Sequence, residues 1–162
     1  MPLNMTIGRR ALLVGLAAAP IAVSAVPETA AETLPRMTVT KDPNCGCCGA
    51  WVNHIREAGF PVELIESAAV DRLKARLGVP QALASCHTAE VGGYVIEGHV
   101  PAAAIKRLLS EKPRATGLAV PGMPVGSPGM EVEGVEDDTY EVVLFGPAGQ
   151  RSFARYRGSR PA

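Results

Sequence analysis

The sequence predicts a mixed α/β domain, and three observations carry that prediction. Residues Met37–Lys41 alternate β-branched and other side chains as a strand does. Apolar residues then recur at helical spacing as far as Ala58. Further along, Gly92-Gly93 stands between two short apolar runs, as the turn of a tight hairpin does.

The first strand and helix are joined by a turn that contains cysteines. Asp42-Pro43-Asn44 ends the strand, because Pro and Asn favour turns. The helix is predicted from Cys47 or Cys48 to Ala58, with Trp51, Val52 and Ile55 on its inward face. Gly59 ends it.

The next elements repeat this alternation. Pro61–Glu66 is predicted to be a strand, and Ala68–Leu77 a helix with Gly78 as its C-terminal cap. Two strands follow, over about Leu83–Glu90 and Tyr94–Glu97. Pro101 then opens a third helix over Ala102–Ser110. The order β-α-β-α-β-β-α is that of a thioredoxin-like domain, and the cysteine turn falls where that fold places its reactive pair.

The C-terminal part has a different composition. Residues Gly117–Met130 are rich in Gly and Pro and contain Met123 and Met130, so we expect a loop, and long loops in small domains tend to be functional. Tyr140–Phe145 and Ser152–Tyr156 are predicted to form a C-terminal β-hairpin that extends the sheet. We therefore expect a core over 37–112 and a Met-containing loop and hairpin over 113–162.

The N-terminus resembles a bacterial export signal. Arg9 and Arg10 precede a short apolar run that ends in small residues, and cleavage is expected after Ala25. The run is too short for a stable membrane span, and the paired arginines leave twin-arginine and general secretory export both open. Residues 26–36 contain two prolines and no periodicity, which predicts a linker. The expected location is the periplasm.

Charge argues against a nucleic-acid partner. Removing residues 1–25 takes two of the 16 basic residues and none of the 16 acidic ones, which leaves a formal charge of −2. A nucleic-acid-binding domain usually shows a basic footprint. The chain also has few aromatic residues for a core, so bound metal or disulfides would help a small exported domain.

The four cysteines carry the chemistry. Three lie together as Cys45-Gly46-Cys47-Cys48, and the fourth, Cys86, is far downstream beside His87. Several thiolates together select Cu(I), Zn(II) or iron–sulfur over Mg or Ca. Cys45 and Cys48 form a Cys-x-x-Cys pair at a helix N-terminus, which suits redox exchange or metal binding. Cys47 favours metal binding, since a third thiol would compete for any disulfide; structural disulfides stay as an alternative.

Histidines and methionines are candidates for additional ligands. Neighbours on a strand point to opposite faces, so we expect Cys86 and His87 not to reach the same ion unless the strand bends. His54 and His99 fit packing or capping better than ligation. Met123 and Met130 have the soft thioether that suits Cu(I), and packing of a loop Met against the domain is an equal alternative.

Five motifs together resemble the CopG-type copper-resistance proteins of bacteria, over about residues 37–145. They are Lys41-x-Pro43-x-Cys45-Gly-Cys-Cys48-x-x-Trp51-x-x-His54, Gly78-Val-Pro80, Ser85-Cys-His-Thr-Ala89, Gly93-Tyr-Val-Ile-Glu-Gly-His-Val-Pro101, and the segment Gly117–Glu131. The resemblance implies a periplasmic thioredoxin-like domain that holds a cluster of several copper ions. By position, it implies that Cys45, Cys47, Cys48 and Cys86 are the ligands.

The leading hypothesis is therefore a periplasmic copper-binding protein for copper resistance, in which bridging thiolates hold Cu(I). Its partners would be copper ions and other periplasmic copper proteins. An enzymatic version, a copper oxidoreductase, cycles the site between Cu(I) and Cu(II). A thioredoxin-type thiol–disulfide oxidoreductase, with Cys45 as nucleophile and Cys48 as resolving thiol, is the alternative. Structural zinc is less favoured, because three cysteines of one turn spread poorly around a tetrahedron.

Overall fold

The architecture is a mixed α/β fold built on one sheet. The computed structural model describes Met1 and residues 33–162. The predicted signal peptide and its cleavage site at Ala25 lie outside the described residues, Met1 apart. Residues 33–36, the described end of the predicted linker, form no helix or strand, and Leu34 packs against the core.

Eight strands form the sheet, in the order β2-β1-β3-β4-β5-β6-β7-β8. Pairing is parallel between β1 and β2 and between β4 and β5, and antiparallel elsewhere. The strands are β1 Met37–Lys41, β2 Val62–Glu66, β3 His87–Val91, β4 Tyr94–Glu97, β5 Gly117–Ala119, β6 Thr139–Gly146, β7 Gly149–Arg157 and β8 Arg160–Pro161.

Three α-helices accompany the sheet in the described residues: α1 Cys47–Glu57, α2 Val70–Arg76 and α3 Ala102–Glu111. Gly59 and Gly78 follow α1 and α2 with φ of +95° and +75°, a conformation that glycine adopts without steric cost. In α1, Trp51, Val52 and Ile55 are buried as predicted. No helix among the described residues is both long and apolar enough to cross a bilayer.

The predicted order of elements from Met37 to Ser110 is observed, with one segment assigned wrongly. Instead of a strand from Leu83, the chain forms a 3₁₀ helix over Gln81–Leu83 and then a bend, and β3 begins only at His87. The apolar Leu83 suggested a strand, but it is buried in a small cluster with Val79 and Phe145. Cys86 therefore lies on the bend and not in the strand.

The C-terminal part also differs from the prediction at its start. Gly117–Ala119, expected to open the loop, forms the short strand β5 between β4 and β6. Its three residues are buried, so the Gly-rich composition marks close backbone packing here. The expected hairpin is present as β6 and β7, and it does extend the sheet.

A larger core cluster lies between the sheet and the helices α1 and α3. It contains Trp51, Ile55, Ile96, Ile105 and Leu118, all without exposed surface. The Trp51 Nε1–H donates to the Val100 carbonyl at 3.0 Å, which satisfies the indole while its ring is buried. This packing holds α1, and with it the cysteine turn, against the sheet.

Replacing Leu118 with alanine should lower the free energy of unfolding by about 2–5 kcal/mol, because it leaves a cavity in the central strand β5. The matched control is Leu64→Ala, where the side chain is 38% exposed and the expected change is within about 0.5 kcal/mol. Urea unfolding measures both. Equal losses for the two variants would contradict this account of the core.

Candidate metal centre

The cysteine turn is shaped by its own backbone. The Cys45 N–H donates to the Asp42 carbonyl at 3.0 Å, and the Asn44 N–H donates to the Asp42 carboxylate at 2.8 Å. Helix α1 then begins at Cys47, so Cys45, Cys47 and Cys48 surround its N-terminus. Unpaired N–H groups there carry partial positive charge and favour thiolates.

The fold brings the distant Cys86 to this turn. The four sulfur atoms lie within 4.8 Å of one another. The Cys45 and Cys47 sulfurs are 3.7 Å apart, and Cys48, fully buried, approaches the Cys86 carbonyl at 3.9 Å. The four predicted ligands therefore form one group.

Two of these sulfurs are bonded to each other in the structure. Cys45 and Cys48 form a disulfide with their Cα atoms 5.7 Å apart, whereas Cys47 and Cys86 are free thiols. A set of four thiolates is therefore available only after the disulfide accepts two electrons. Cys47 forms no disulfide with Cys45 or with Cys48, and the short sequence separation of these pairs would strain such a bond.

Cys86 also contacts two imidazoles. Its sulfur lies 3.2 Å from His87 Nδ1 and 3.0 Å from His99 Nε2, and these three residues form a second group of potential metal ligands. The expectation that Cys86 and His87 point apart was wrong, because strand alternation starts at His87 and Cys86 belongs to the preceding bend.

The tautomer of His99 follows from its contacts. His99 Nδ1 is 2.8 Å from the Pro128 carbonyl, which can only accept, so Nδ1 carries the proton. The lone pair of Nε2 therefore faces the Cys86 sulfur. Histidines that bind metal usually donate their other ring N–H to such an acceptor. Burial also lowers the pKa of His99, which keeps the imidazole neutral.

His87 lies deepest in the site. Its side chain is fully buried against Trp51, with the ring centroids 4.3 Å apart, and its Nε2 has no hydrogen-bond partner among the described residues. Burial lowers its pKa well below the usual value, and the positive charge of Lys74, or of His99 if it were protonated, acts in the same direction. His87 is therefore neutral and presents Nδ1 to Cys86.

Of the other predicted ligands, Met123 lies near the cysteine group, whereas Met130 and His54 make other contacts. The Met123 sulfur is 4.0 Å from the Cys47 sulfur, and its side chain is 52% exposed at the mouth of the site. Met130 is half-buried, and its backbone closes turns with Gly126 and Ser127. His54 Nε2 accepts the Ala102 N–H at 3.1 Å, at the start of α3.

The Gly/Pro loop that carries these methionines lies against the site at three points. The Ser85 hydroxyl donates to the Gly122 carbonyl at 2.7 Å, and His99 donates to Pro128. Gly129 packs so closely on helix α1 that a Cβ atom at this position would lie 2.6 Å from the backbone nitrogen of Trp51. The loop is therefore part of the site.

Sequence reasoning missed His99 as a site residue, yet the sequence contains a signal for it. A two-residue hairpin turn at Gly92-Gly93 pairs Val91 with Tyr94 and Thr88 with Glu97. Counting back by the same register places Cys86 opposite His99. The signal was lost because Cys86 was assigned to a strand that began too early.

Comparisons with known proteins agree with this geometry. Residues 83–130 match a family model described as "Protein of unknown function, DUF411", and no curated protein matches. A solved structure named "Copper resistance protein copG- Form 1" shares 44% identity, covers 77% of this chain and 99% of its own, and superposes with a TM-score of 0.71. A second solved structure, "Copper resistance protein copG- Form 2", also shares 44% identity, covers 76% of this chain and 98% of its own, and has a TM-score of 0.71.

Fold and site define a small α/β protein with a cysteine- and histidine-rich group able to bind metal. Its role is related to copper, as the predicted resemblance indicated. At 44% identity over nearly the whole length of the solved structure, the chain belongs to the CopG family of copper-resistance proteins.

The pH dependence of Cys86 reactivity is a test of the site in its metal-free form. Burial, and secondarily the neighbouring Cys47, raise the pKa of Cys86 to about 12. In a Cys47→Ser variant with the disulfide intact, burial still acts, so the alkylation rate of Cys86 should keep rising well above pH 9. The unfolded protein is the control, with a thiol pKa of about 8.5. Rates that level off at the same pH in both states would contradict the burial of Cys86.

Proposed function

We propose that this protein binds Cu(I) in the periplasm through the thiolates of Cys45, Cys47, Cys48 and Cys86, for copper resistance. The observation that carries the proposal is the gathering of four sulfurs within 4.8 Å by two distant segments of the chain. The two similar solved structures carry the name of a copper-resistance protein, which supports copper as the ion.

The donor set fits copper. Thiolate and thioether ligands are soft and select Cu(I). Four thiolates can serve several ions only if each sulfur bridges two of them, and sulfurs as close as 3.7 Å allow such sharing. A structural zinc site needs four protein ligands arranged as a tetrahedron. Three cysteines from one turn are poorly placed to occupy three corners of it.

Additional ligands would come from the rim of the cysteine group. His99 offers a lone pair with its tautomer set by Pro128, His87 offers Nδ1, and Met123 lies against Cys47. His54 is committed to the Ala102 N–H, which supports a capping role for it. Met130 would act through the conformation of the loop.

Copper stoichiometry tests this proposal. Reduced protein, purified without oxygen, should bind several Cu(I) per chain with its thiols protected, and Cys86→Ser should bind fewer because it removes a bridging sulfur. The matched control is the same wild-type protein kept as the Cys45–Cys48 disulfide, which should also bind fewer. Elemental analysis with thiol counting gives both values.

Unchanged stoichiometry in Cys86→Ser would rule out the shared cluster. The alternative, a thiol–disulfide oxidoreductase, has its own support in the structure, since half-buried Cys45 and buried Cys48 are bonded as nucleophile and resolving thiols would be. Two results together would favour that alternative: wild-type protein that retains no copper, and a Cys47→Ser variant that carries out disulfide exchange at the normal rate.

A second part of the proposal is redox cycling of copper at this site. Thiolates favour Cu(I), whereas imidazoles also suit Cu(II), and Cys86 has both kinds of donor around it. Each Cu(I) that becomes Cu(II) releases one electron, and dioxygen, which takes four electrons and four protons to give water, is the acceptor in a test under air.

Copper-loaded protein given excess Cu(I) under air should produce Cu(II) over many equivalents, faster than the same Cu(I) without protein. His99→Gln should slow this production, because it removes an imidazole while leaving every sulfur in place. His54→Gln is the control, since His54 caps α3. Cu(II) is followed by electron paramagnetic resonance, and oxidation limited to the copper already bound would contradict cycling.

We also propose the finer organisation of the chain. Residues 37–112 would be a thioredoxin-like core, supported by the strand order β2-β1-β3-β4 with β1 and β2 parallel. Residues 113–162 would be an extension that adds the Met loop and the hairpin. Residues 1–25 would direct export and 26–36 would link to the core, on the sequence pattern described above.

A further inference from the structure

A buried ion pair lies directly behind the metal-binding group. Lys74 Nζ on α2 is 2.7 Å from Glu97 Oε1 on β4, and their side chains are 6% and 0% exposed. Glu97 is two residues after Val95, which packs in the smaller cluster, so the pair lies on the sheet face opposite the larger core cluster. Such pairs are costly to bury and often add little stability.

Both oxygens of the Glu97 carboxylate accept hydrogen bonds. It accepts Lys74 Nζ and the Ser85 N–H on Oε1, the latter at 2.6 Å, and the Thr88 hydroxyl on Oε2 at 2.6 Å. Lys74 Nζ also donates to the Thr88 hydroxyl at 2.8 Å. Apart from Lys74, each residue of this network is close in sequence to a residue of the metal-binding group. Ser85 precedes Cys86, Thr88 follows His87, and Glu97 is two residues before His99.

Ser85 is the only one of the three outside a strand. It lies in the short irregular segment between the 3₁₀ helix and β3, directly before the bend at Cys86, where no strand pairing holds the backbone. Its N–H is held by Glu97, and its hydroxyl donates to Gly122, next to Met123. Gly98 packs on the same residue, since a Cβ at Gly98 would lie 2.6 Å from the Ser85 oxygen.

We propose that Glu97 is a positioning residue for the metal site, whose carboxylate, charge-balanced by Lys74, holds the Ser85 N–H and thereby sets the place of Cys86 and of the Met123 loop. The inference rests on the proposed copper function. Outer groups that orient metal ligands typically change metal affinity by about 10- to 100-fold when they are removed.

Two double variants separate positioning from simple stability. Lys74→Met with Glu97→Gln removes both charges and keeps a carbonyl oxygen for the Ser85 N–H. Lys74→Met with Glu97→Leu removes both charges and that acceptor as well. Neither leaves a buried charge unpaired, which is the costly case. An exposed pair, Arg36→Met with Glu63→Gln, is the control.

The first measurement needs no copper. In a Cys47→Ser background with the disulfide intact, Cys86 is the single free thiol. Its alkylation rate in folded protein should rise several-fold in the leucine variant and stay near the parent value in the glutamine variant and in the control. This result would hold whether or not the protein binds copper, so its failure is distinguishable from failure of the proposed function.

The second measurement is Cu(I) affinity, by competition with a chromophoric chelator in the background with all four cysteines. The leucine variant should bind about 10- to 100-fold more weakly, with the glutamine variant close to wild type. Equal effects of the two variants on alkylation and affinity, or no effect of the leucine variant, would overturn the proposal.

If the leucine variant does not fold, hydrogen exchange of the wild-type protein decides. The Ser85 amide should exchange far more slowly than an unstructured amide although it lies outside any helix or strand, because Glu97 holds it. Exchange at the unstructured rate would overturn the proposal.

Discussion

The register of the β3–β4 hairpin determines where the candidate ligands meet. Gly92 and Gly93 have φ of +55° and +84°, the conformation that a tight two-residue turn requires. That turn pairs Thr88 with Glu97, so the chain just before β3 and the chain just after β4 end side by side. Cys86 and His99 meet there, and a slip of one residue would separate them and turn every side chain of the strand to the other face.

Helix α1 brings the other half of the site to that place. Trp51 is buried, hydrogen-bonded to the Val100 carbonyl and packed against the His87 ring, so the same side chain fixes the helix and one imidazole. Because Cys45, Cys47 and Cys48 surround the start of this helix, fixing it fixes them. The Met123 loop then closes on the group through backbone carbonyls that accept from Ser85 and His99.

The sulfurs of this site have two covalent states with different capacities for metal. With Cys45 and Cys48 bonded, two thiols remain, beside two neutral imidazoles and one thioether. Reduction by two electrons would give four thiols, three of them at the N-terminus of α1. The donor set is thus richer in nitrogen when oxidised and richer in sulfur when reduced, which is the order in which Cu(II) and Cu(I) prefer them.

Local pattern was sufficient for much of this protein. The alternation of Met37–Lys41, the helical spacing around Trp51 and the glycine turn at Gly92-Gly93 each depend on neighbouring residues, and each predicted the element that the structure contains. The crowding of Cys45, Cys47 and Cys48, with Cys86 as the remaining cysteine, predicted a thiolate site for the same reason. Soft ligand chemistry is a property of residue type and needs no fold to recognise it.

What the tertiary structure decided was which distant residues come together. His99 was indistinguishable from a packing residue until the hairpin register put its ring against Cys86. Leu83 belongs to a short 3₁₀ helix, and its side chain is buried with Val79 and Phe145. Lys74 and Glu97 would have been assigned to the surface by composition alone, yet they are buried together behind Ser85. The sequence by itself determined most of the elements and indicated the kind of chemistry, because both follow from local spacing and side-chain type. Contacts between residues far apart depend on how all the elements pack, so only the tertiary structure decided them.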